Sequence, residues 1–233
     1  MMQRLLQDYP TLLLVLTLII YILSVSLYQR SNKHVLLLPV VTGIALVIAA
    51  LLVFDIDYNI YFDSVKVLHF LLGTATVALA VPLRNNFHLI LEHARPLTLS
   101  LIAMAVITPA LAVVSAWLFG ADKAVLLSLA PKSISTPFAI GVAEEIGAYP
   151  PLVAAIVIVT GTVVAVIAST VFKVFAIHNP IAQGFSMGLV GHGIATATAF
   201  EMSIKTGAFS ALAMGLMGLS TSTLLPYFVA WFF

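Results

Sequence analysis

Long apolar runs separated by short charged loops fill the first half of the chain. The runs cover Thr11–Tyr28, Val35–Phe54, Val65–Leu83 and Leu97–Phe119. A membrane-spanning helix needs about 20 mostly apolar residues, so each run predicts one spanning helix. No small-residue cleavage site follows the first run, and we therefore expect a retained helix there rather than a removable signal peptide.

The second half is interrupted twice by polar residues. Short apolar pieces flank "PKSISTP" at 131–137 and "GHGIATAT" at 191–198, and a full-length apolar run follows each, at Pro151–Phe175 and Ala208–Phe233. Two interrupted segments at corresponding places are typical of a transporter binding site, although proline and glycine also kink ordinary helices. The fold class predicted is an all-α polytopic membrane protein with about six spanning helices and two interrupted or re-entrant segments.

The two interruptions belong to suspected repeat units, 122–181 and 182–233. An offset of 60 residues aligns them and gives seven identities over the 24 positions 129–152, among them Thr136/Thr196 and Gly147/Gly207. Self-similarity at a fixed period indicates repeated structural units. If each unit holds one hairpin and one crossing, the two units are inverted relative to each other, as in many transporters.

Charge placement bears on how the interruptions cross the membrane. Lys and Arg are enriched in cytoplasmic loops, which places the loops with Arg30 and Arg84 inside and the Asp-rich loop at 55–63 outside. If both interruptions are re-entrant hairpins, Lys173 and Lys205 fall inside; if both span, Lys173 falls outside. The distribution of positive charge favours hairpins over broken spanning helices.

Composition excludes several protein classes. The 233 residues are 62% hydrophobic and 8% charged, with a net charge of +1 and no cysteine. Ordinary soluble domains carry about 25% charged residues. Without a Lys/Arg cluster we expect no nucleic-acid partner, and without cysteine no disulfide or thiolate metal site. We expect neither a cofactor nor enzymatic activity: no nucleophile elbow is present, and adjacent Lys132 and Ser133 usually aim their side chains apart.

The first interruption combines a helix start with a positive charge. Ser135 or Thr136 can cap a helix whose first turn contains Pro137, and the free N–H groups of such a half-helix favour an anion. Lys132, next to Ser133, adds a full charge just before the break. The alternatives are a Lys132 that snorkels to the membrane interface and hydroxyls that simply bond helix to helix.

The second interruption offers a matching arrangement. Gly191 and Gly193 permit close backbone approach, Thr196 or Thr198 can cap the next half-helix, and His192 occupies the position equivalent to Lys132. A packed, hydrogen-bonded His192 is the alternative. The predicted substrate-binding set, for a small carboxylate, is Lys132, Ser133, Ser135, Thr136, Pro137, His192, Gly193, Thr196 and Thr198.

A proton-coupling group is predicted at Glu201 or His192. A buried carboxylate or imidazole inside a membrane is a candidate proton carrier. Glu201 also stands four residues before Lys205, which would instead allow an ion pair on one helix face.

Two stretches, "APKSISTPFAIGVAEEIGAYPPLVAAIVIVTG" and "GLVGHGIATATAFEMSIKTGAFSALAMGL", resemble the LrgB/CidB family of bacterial inner-membrane proteins. The resemblance implies a single LrgB-like transmembrane domain over 1–233, located in the bacterial cell inner membrane. It implies two functions: holin- or antiholin-like control of murein hydrolase export and lysis, or transport of glycolate, glycerate, pyruvate, lactate or acetate. It also implies a small LrgA/CidA-type membrane partner.

The polar clusters at the two interruptions favour a secondary carrier of small monocarboxylates over a holin-like protein, because a holin needs only helices that oligomerise. The small number of spanning helices further predicts a homodimer or a complex.

Overall fold

The computed structural model describes residues 10–31, 37–78 and 80–232, which are largely helical. The chain forms two compact units, Met1–Ala78 and Leu79–Phe233. The first unit contains α1 (Pro10–Arg30), α2 (Pro39–Val53), α3 (Tyr58–Ser64) and α4 (Lys66–Ala78). In it, the hydroxyls of Thr17 on α1 and Tyr61 on α3 lie 3.2 Å apart, and Asp57 caps α3 by accepting from the Asn59 amide at 2.8 Å.

The second unit carries both interruptions. Its helices are α5 (Ala80–Asn85), α6 (Phe87–Glu92), α7 (Ala94–Leu118), α8 (Lys123–Leu129), α9 (Thr136–Ile146), α10 (Pro150–Val174), α11 (Pro180–Met202) and α12 (Ile204–Phe232). Arg84 and Asn85, expected in a loop, lie at the end of the short helix α5. The largest apolar core of this unit joins α7, α9, α10, α11 and α12 and is centred on fully buried residues such as Ala143, Val153, Val157 and Phe209.

Four helices in the described part of the chain are long and apolar enough to cross a membrane: α1, α7, α10 and α12. These helices make the chain a multi-pass membrane protein. The expected second run forms the 15-residue α2, about 22 Å long, and its start at 32–36 lies outside the described residues. The expected third run is described as α4, which ends at Ala78, and α5, which begins at Ala80; residue 79 between them lies outside the described residues.

The first arm of α11 runs parallel to α12. At His192 the backbone leaves the helical region, with φ 42° and ψ −138°, and the preceding arm packs through glycines. A Cβ added to Gly184 would collide with the Thr206 carbonyl, and one added to Gly188 with the Ser210 carbonyl. Because the residue numbers on both helices rise together, this arm and α12 point the same way.

The second arm of α11 runs antiparallel to α12. Thr196 and Ser210 join their hydroxyls at 2.8 Å, and further along the arm the Phe200 ring lies against Gly207. Here the numbers on the two helices change in opposite directions, so the chain reverses at His192. Residues 180–191 and 193–202 form a hairpin whose arms are about 15–18 Å long, roughly half the ~30 Å hydrocarbon core of a membrane.

The first interruption also folds back on itself. The Tyr149 amide, just before α10, donates to the Ser128 hydroxyl at 3.2 Å. A straight helix would separate these residues by about 30 Å, at 1.5 Å per residue. Helices α8 and α9 are therefore the two arms of a second reversal, with residues 130–135 at its tip. Both interruptions match the hairpin prediction and not the broken-span alternative.

The two hairpins approach the centre of α12 from opposite ends. The tip of the α11 hairpin lies beside Met214, and Phe138, near the tip of the α8–α9 hairpin, packs on Gly218 one turn further along. The α11 arms accompany the N-terminal half of α12, whereas α8 shares a cavity with its C-terminal half around Leu225. Each predicted unit thus contains one hairpin followed by one long helix, and the sequence repeat itself stays a prediction.

The two ends of this arrangement differ in charge. The end at the base of the α11 hairpin, here called the cationic end, carries Arg95, Lys173 and Lys205 together with Glu92 and Glu201; the opposite, acidic end carries Asp122, Lys123, Glu144 and Glu145. Because Lys and Arg concentrate on the cytoplasmic side of membrane proteins, this distribution predicts that the cationic end is the cytoplasmic one. The assignment agrees with the charge placement expected for hairpins.

Replacing Gly188 by alanine tests the close contact between α11 and α12. The new Cβ would meet the Ser210 carbonyl and come within 2.8 Å of the Ala213 Cβ. We expect Gly188→Ala to lower the free energy of unfolding by about 1–3 kcal/mol, as overpacked interiors do. Gly215→Ala on α12 is the matched control, since nothing lies within 4 Å of its added Cβ. Equal thermal unfolding of the two purified variants would contradict the packing described.

Candidate functional site

The tip of the α8–α9 hairpin is anchored by apolar residues and exposes polar ones. Ala130, Pro131 and Ile134 are buried, Ile134 to 1% exposure, and the chain between them makes two consecutive turns. Lys132 is partly buried, and its Nζ donates to the buried Ser133 hydroxyl at 3.4 Å. The tip therefore holds an ammonium group in a fixed turn, where removing it from water is costly unless an anion or dipole compensates.

Helix α9 begins at the position that the sequence predicted. Helix α9 begins at Thr136, Pro137 occupies its first turn, and Ser135 is the cap residue with extended backbone. Ser135 was expected to cap the helix with its hydroxyl, but this hydroxyl makes no capping hydrogen bond. Ser135 and Thr136 are partly buried and Pro137 is exposed. The Ser135 side chain therefore accepts no hydrogen bond from the first N–H groups of α9.

The tip of the α11 hairpin is clamped against the middle of α10. His192 is 3% exposed, and its Nε2 donates to the Val157 carbonyl at 2.9 Å. Gly161, one turn along α10, leaves room for the ring: a Cβ there would fall 2.7 Å from Nε2. A positive φ is unusual for a residue with a side chain, so packing holds this backbone in place. His192 is therefore packed and hydrogen-bonded through Nε2, as the alternative interpretation of the sequence expected.

The threonines of the α11 hairpin do not cap a helix. Thr196 lies inside the second arm, where its hydroxyl donates to the His192 carbonyl at 2.7 Å. With its one hydrogen used, it accepts from Ser210, 2.8 Å away on α12. Thr198 also lies within the arm, 3.5 Å from the Ile194 carbonyl. The expected caps are wrong because the helix resumes directly after His192, and these hydroxyls bond to carbonyls one turn back.

The structure brings the two predicted centres together. The hairpin tips that carry Lys132 and His192 lie against adjacent turns of α12. Gly193 is exposed beside Met214, one turn of α12 from the place where Phe138 packs. The tip that carries Lys132 and Ser133 thus lies about one turn of α12 from the tip that carries His192, and the helix start at Thr136 adjoins Lys132 and Ser133.

Glu201 lies away from the two tips. It follows Gly193 by eight residues on one arm, about 12 Å of helix, and its side chain is exposed. The expected shared helix face with Lys205 is wrong, because α11 ends at Met202 and the extended Ser203 separates it from α12. Of the two proton-coupling candidates, only His192 stands at a tip.

The tips form an arrangement suited to a small anion. An ammonium, a hydroxyl and the start of a helix converge where the backbone is not helical, and each of these groups attracts negative charge. In the described ranges, no group of three or more His, Asp or Glu side chains is placed to hold a metal ion.

Sequence reasoning did not identify three residues that hold the α11 tip. Val157, Gly161 and Ser210 position His192 and Thr196 from α10 and α12. An isolated glycine in a helical pattern, as at Gly161, indicates close packing, and the spacing of Gly184 and Gly188 is that of glycine-mediated contacts in membrane helices. The Val157 carbonyl could not be identified from the sequence, because every residue has a backbone carbonyl.

Comparison with known proteins identifies the family. The profile of the LrgB-like family matches residues 17–231. The chain belongs to the LrgB-like family. Among its relatives, YxaC of Bacillus subtilis, named an uncharacterized protein, is 32% identical over 95% of this chain and 96% of its own length. The "Holin-like protein CidB" of Staphylococcus aureus strain Mu50 is 28% identical over the same shares. No solved structure matches the chain.

A double-mutant cycle tests the contact between Gly161 and His192. In this LrgB-like chain, Gly161→Ala should cost about 2 kcal/mol of unfolding free energy, because the Cβ overlaps the imidazole. In a His192→Ala background the same change should cost less than half as much, leaving mainly the contact with the Gly191 carbonyl. Thermal unfolding of the four proteins measures this coupling, and additive effects would mean that the ring does not occupy the Gly161 notch.

Proposed function

We propose that the chain is a secondary carrier of small monocarboxylates whose substrate binds between the two hairpin tips. The observation that carries the proposal is that the two hairpin tips, which carry Lys132 and His192, approach from opposite ends of α12 and meet on adjacent turns of it. Non-helical backbone inside a membrane is tolerated where it lines a cavity or is buried in protein. Carriers with inverted repeats bind substrate at such breaks.

The polar groups at the tips match a carboxylate better than a cation or a neutral solute. The Lys132 ammonium supplies the counter-charge, and Ser133, Ser135 and Thr136 supply donors beside the start of α9. The predicted substrates, such as glycolate, glycerate, pyruvate, lactate and acetate, carry one carboxylate and little else. The single positive charge of the Lys132 ammonium matches the single negative charge of a monocarboxylate.

His192 is the proposed proton-coupling group. Its Nε2 already donates to the Val157 carbonyl, so Nδ1 is the ring nitrogen at which a proton can be gained or lost. Imidazole changes charge near neutral pH more readily than any other side chain. A carrier that uses His192 in this way moves its substrate together with a proton, and no enzymatic step is part of the proposal.

A holin-like function is the second candidate, and the names of the relatives favour it. CidB proteins of Staphylococcus aureus and Staphylococcus epidermidis are named holin-like. In that candidate the chain acts with a small LrgA/CidA-type membrane partner, or as an oligomer, and regulates murein hydrolase export and lysis. The two candidates differ in one measurable property: a carrier is saturable and selective, whereas a lesion leaks unrelated solutes.

Uptake into proteoliposomes separates the candidates. We expect saturable uptake of radiolabelled glycolate, pyruvate or acetate, driven by an imposed pH gradient, with a neutral sugar retained. Lys132→Ala should reduce uptake at least about tenfold, the effect of losing about 1.4 kcal/mol at the site. Lys173→Ala, an exposed lysine at the cationic end, is the control and should leave uptake unchanged.

One result would contradict the carrier function, and another would contradict the assigned site. Leakage of the sugar as fast as the acids would favour the holin-like candidate. Native uptake by a correctly folded Lys132→Ala variant would exclude Lys132 from the substrate site. Thermal unfolding of both lysine variants establishes that each is folded, and reconstitution with a small membrane partner tests whether that partner is required.

A further inference from the structure

A cavity runs along the first arm of the α11 hairpin from its base almost to its tip. It has a volume of about 410 Å³ and lies between this arm and the N-terminal half of α7. His93 and Asn179 line one end of it, and Leu189 and Val190, immediately before the Gly191–His192 turn, line the other. The cavity therefore connects the end of the molecule that holds the hairpin base with the neighbourhood of the candidate site.

The cavity opens at the cationic end. Asn179 is the cap residue at the start of α11, and His93 precedes α7, whose first turn carries Arg95. Lys173 and Lys205 mark the same end, near the end of α10 and at the start of α12. The positive charge at this mouth identifies it as cytoplasmic and attracts anions from the adjoining solution.

The walls are apolar with a few polar groups at intervals. Ser100 on α7 and Ser186 on the hairpin arm are both exposed and stand between the mouth and the tip, and Phe185 and Met104 form part of the apolar lining. Such a mixture, at a volume within the roughly 300–1,000 Å³ of ligand pockets, is typical of a small-molecule site. The Ser186 hydroxyl donates to the Gln183 carbonyl at 2.9 Å, and its oxygen can still accept a hydrogen bond from water in the cavity.

The cavity found towards the acidic end of the second unit is lined differently. The cavity there, about 560 Å³ between α7, α8 and the C-terminal half of α12, has an almost wholly apolar lining that includes Trp117 and Phe228. Its buried Thr221 hydroxyl has no hydrogen-bond partner. Residues 93–104 of α7 thus line a cavity with a polar mouth, and residues 105–117 line an apolar one.

We infer that the cavity between α7 and the first α11 arm is the cytoplasmic vestibule through which the carboxylate reaches the hairpin tips. The inference rests on the proposed carrier function and adds the route and the side of access. The structure is then open towards the cytoplasm, and the clamped His192 tip forms the inner end of the vestibule.

Single cysteines test the vestibule directly, because the chain has none of its own. We would prepare Ser100→Cys and Ser186→Cys and expose vesicles of known orientation to a charged, membrane-impermeant thiol reagent. Leu99→Cys is the matched control: it lies on α7 at the depth of Ser100, is 61% exposed and does not line the cavity. Such reagents react in water and not in lipid.

We expect both serine positions to react from the cytoplasmic face at least about tenfold faster than Leu99→Cys. Added glycolate or pyruvate should slow the labelling, and labelled protein should lose carboxylate uptake. Labelling no faster than at Leu99→Cys would show a lipid-filled groove and overturn the vestibule. Faster labelling from the opposite face would overturn its assigned side.

The experiment also separates this inference from the proposed function. If unlabelled wild-type protein takes up carboxylate but the serine positions do not label, the carrier stands and the vestibule is wrong. If wild-type protein takes up none, with or without a small membrane partner, the carrier function is wrong, and the role assigned to the vestibule falls with it, even where the cavity labels.

Discussion

The second unit depends on one constraint: a helix that breaks inside a membrane must satisfy its backbone within the protein. At the α11 break, the neighbouring helices α10 and α12 supply groups that satisfy this constraint. The Thr196 hydroxyl binds the carbonyl of His192, Ser210 supports Thr196 from α12, and Val157 of α10 accepts from the imidazole. Because these partners lie in the N-terminal halves of α10 and α12, the break is fixed at a defined depth along both helices.

The antiparallel course of α10 and α12 explains why both hairpin tips meet there. Helix α10 begins beside the α8–α9 hairpin, where Tyr149 binds Ser128, and ends beside the arms of α11, where Phe172 packs on Met187. Helix α12 runs the other way past the same two hairpins. Each of the two long helices therefore runs past both hairpins. A shift of either helix would alter both halves of the candidate site together.

The sequence predicted the places of the breaks better than their internal geometry. Proline at 137 and the two glycines around His192 mark both tips, since these residue types change the backbone locally. The capping roles of Thr196 and Thr198 were wrong because the α11 break occupies a single residue, a length that composition does not encode. The pairing of Thr196 with Ser210 depends on which helices become neighbours, and no local pattern specifies that choice.

The order of the elements along the chain has a consequence for biogenesis. The α11 arms are too short to remain in a bilayer by themselves, and their closest packing partner, α12, is synthesised after them. Gly184 and Gly188 can close onto the Thr206 and Ser210 carbonyls only after that helix has entered the membrane. Residues 180–202 must therefore remain in an immature state until α12 has been inserted, and the insertion of that helix completes the packing around His192.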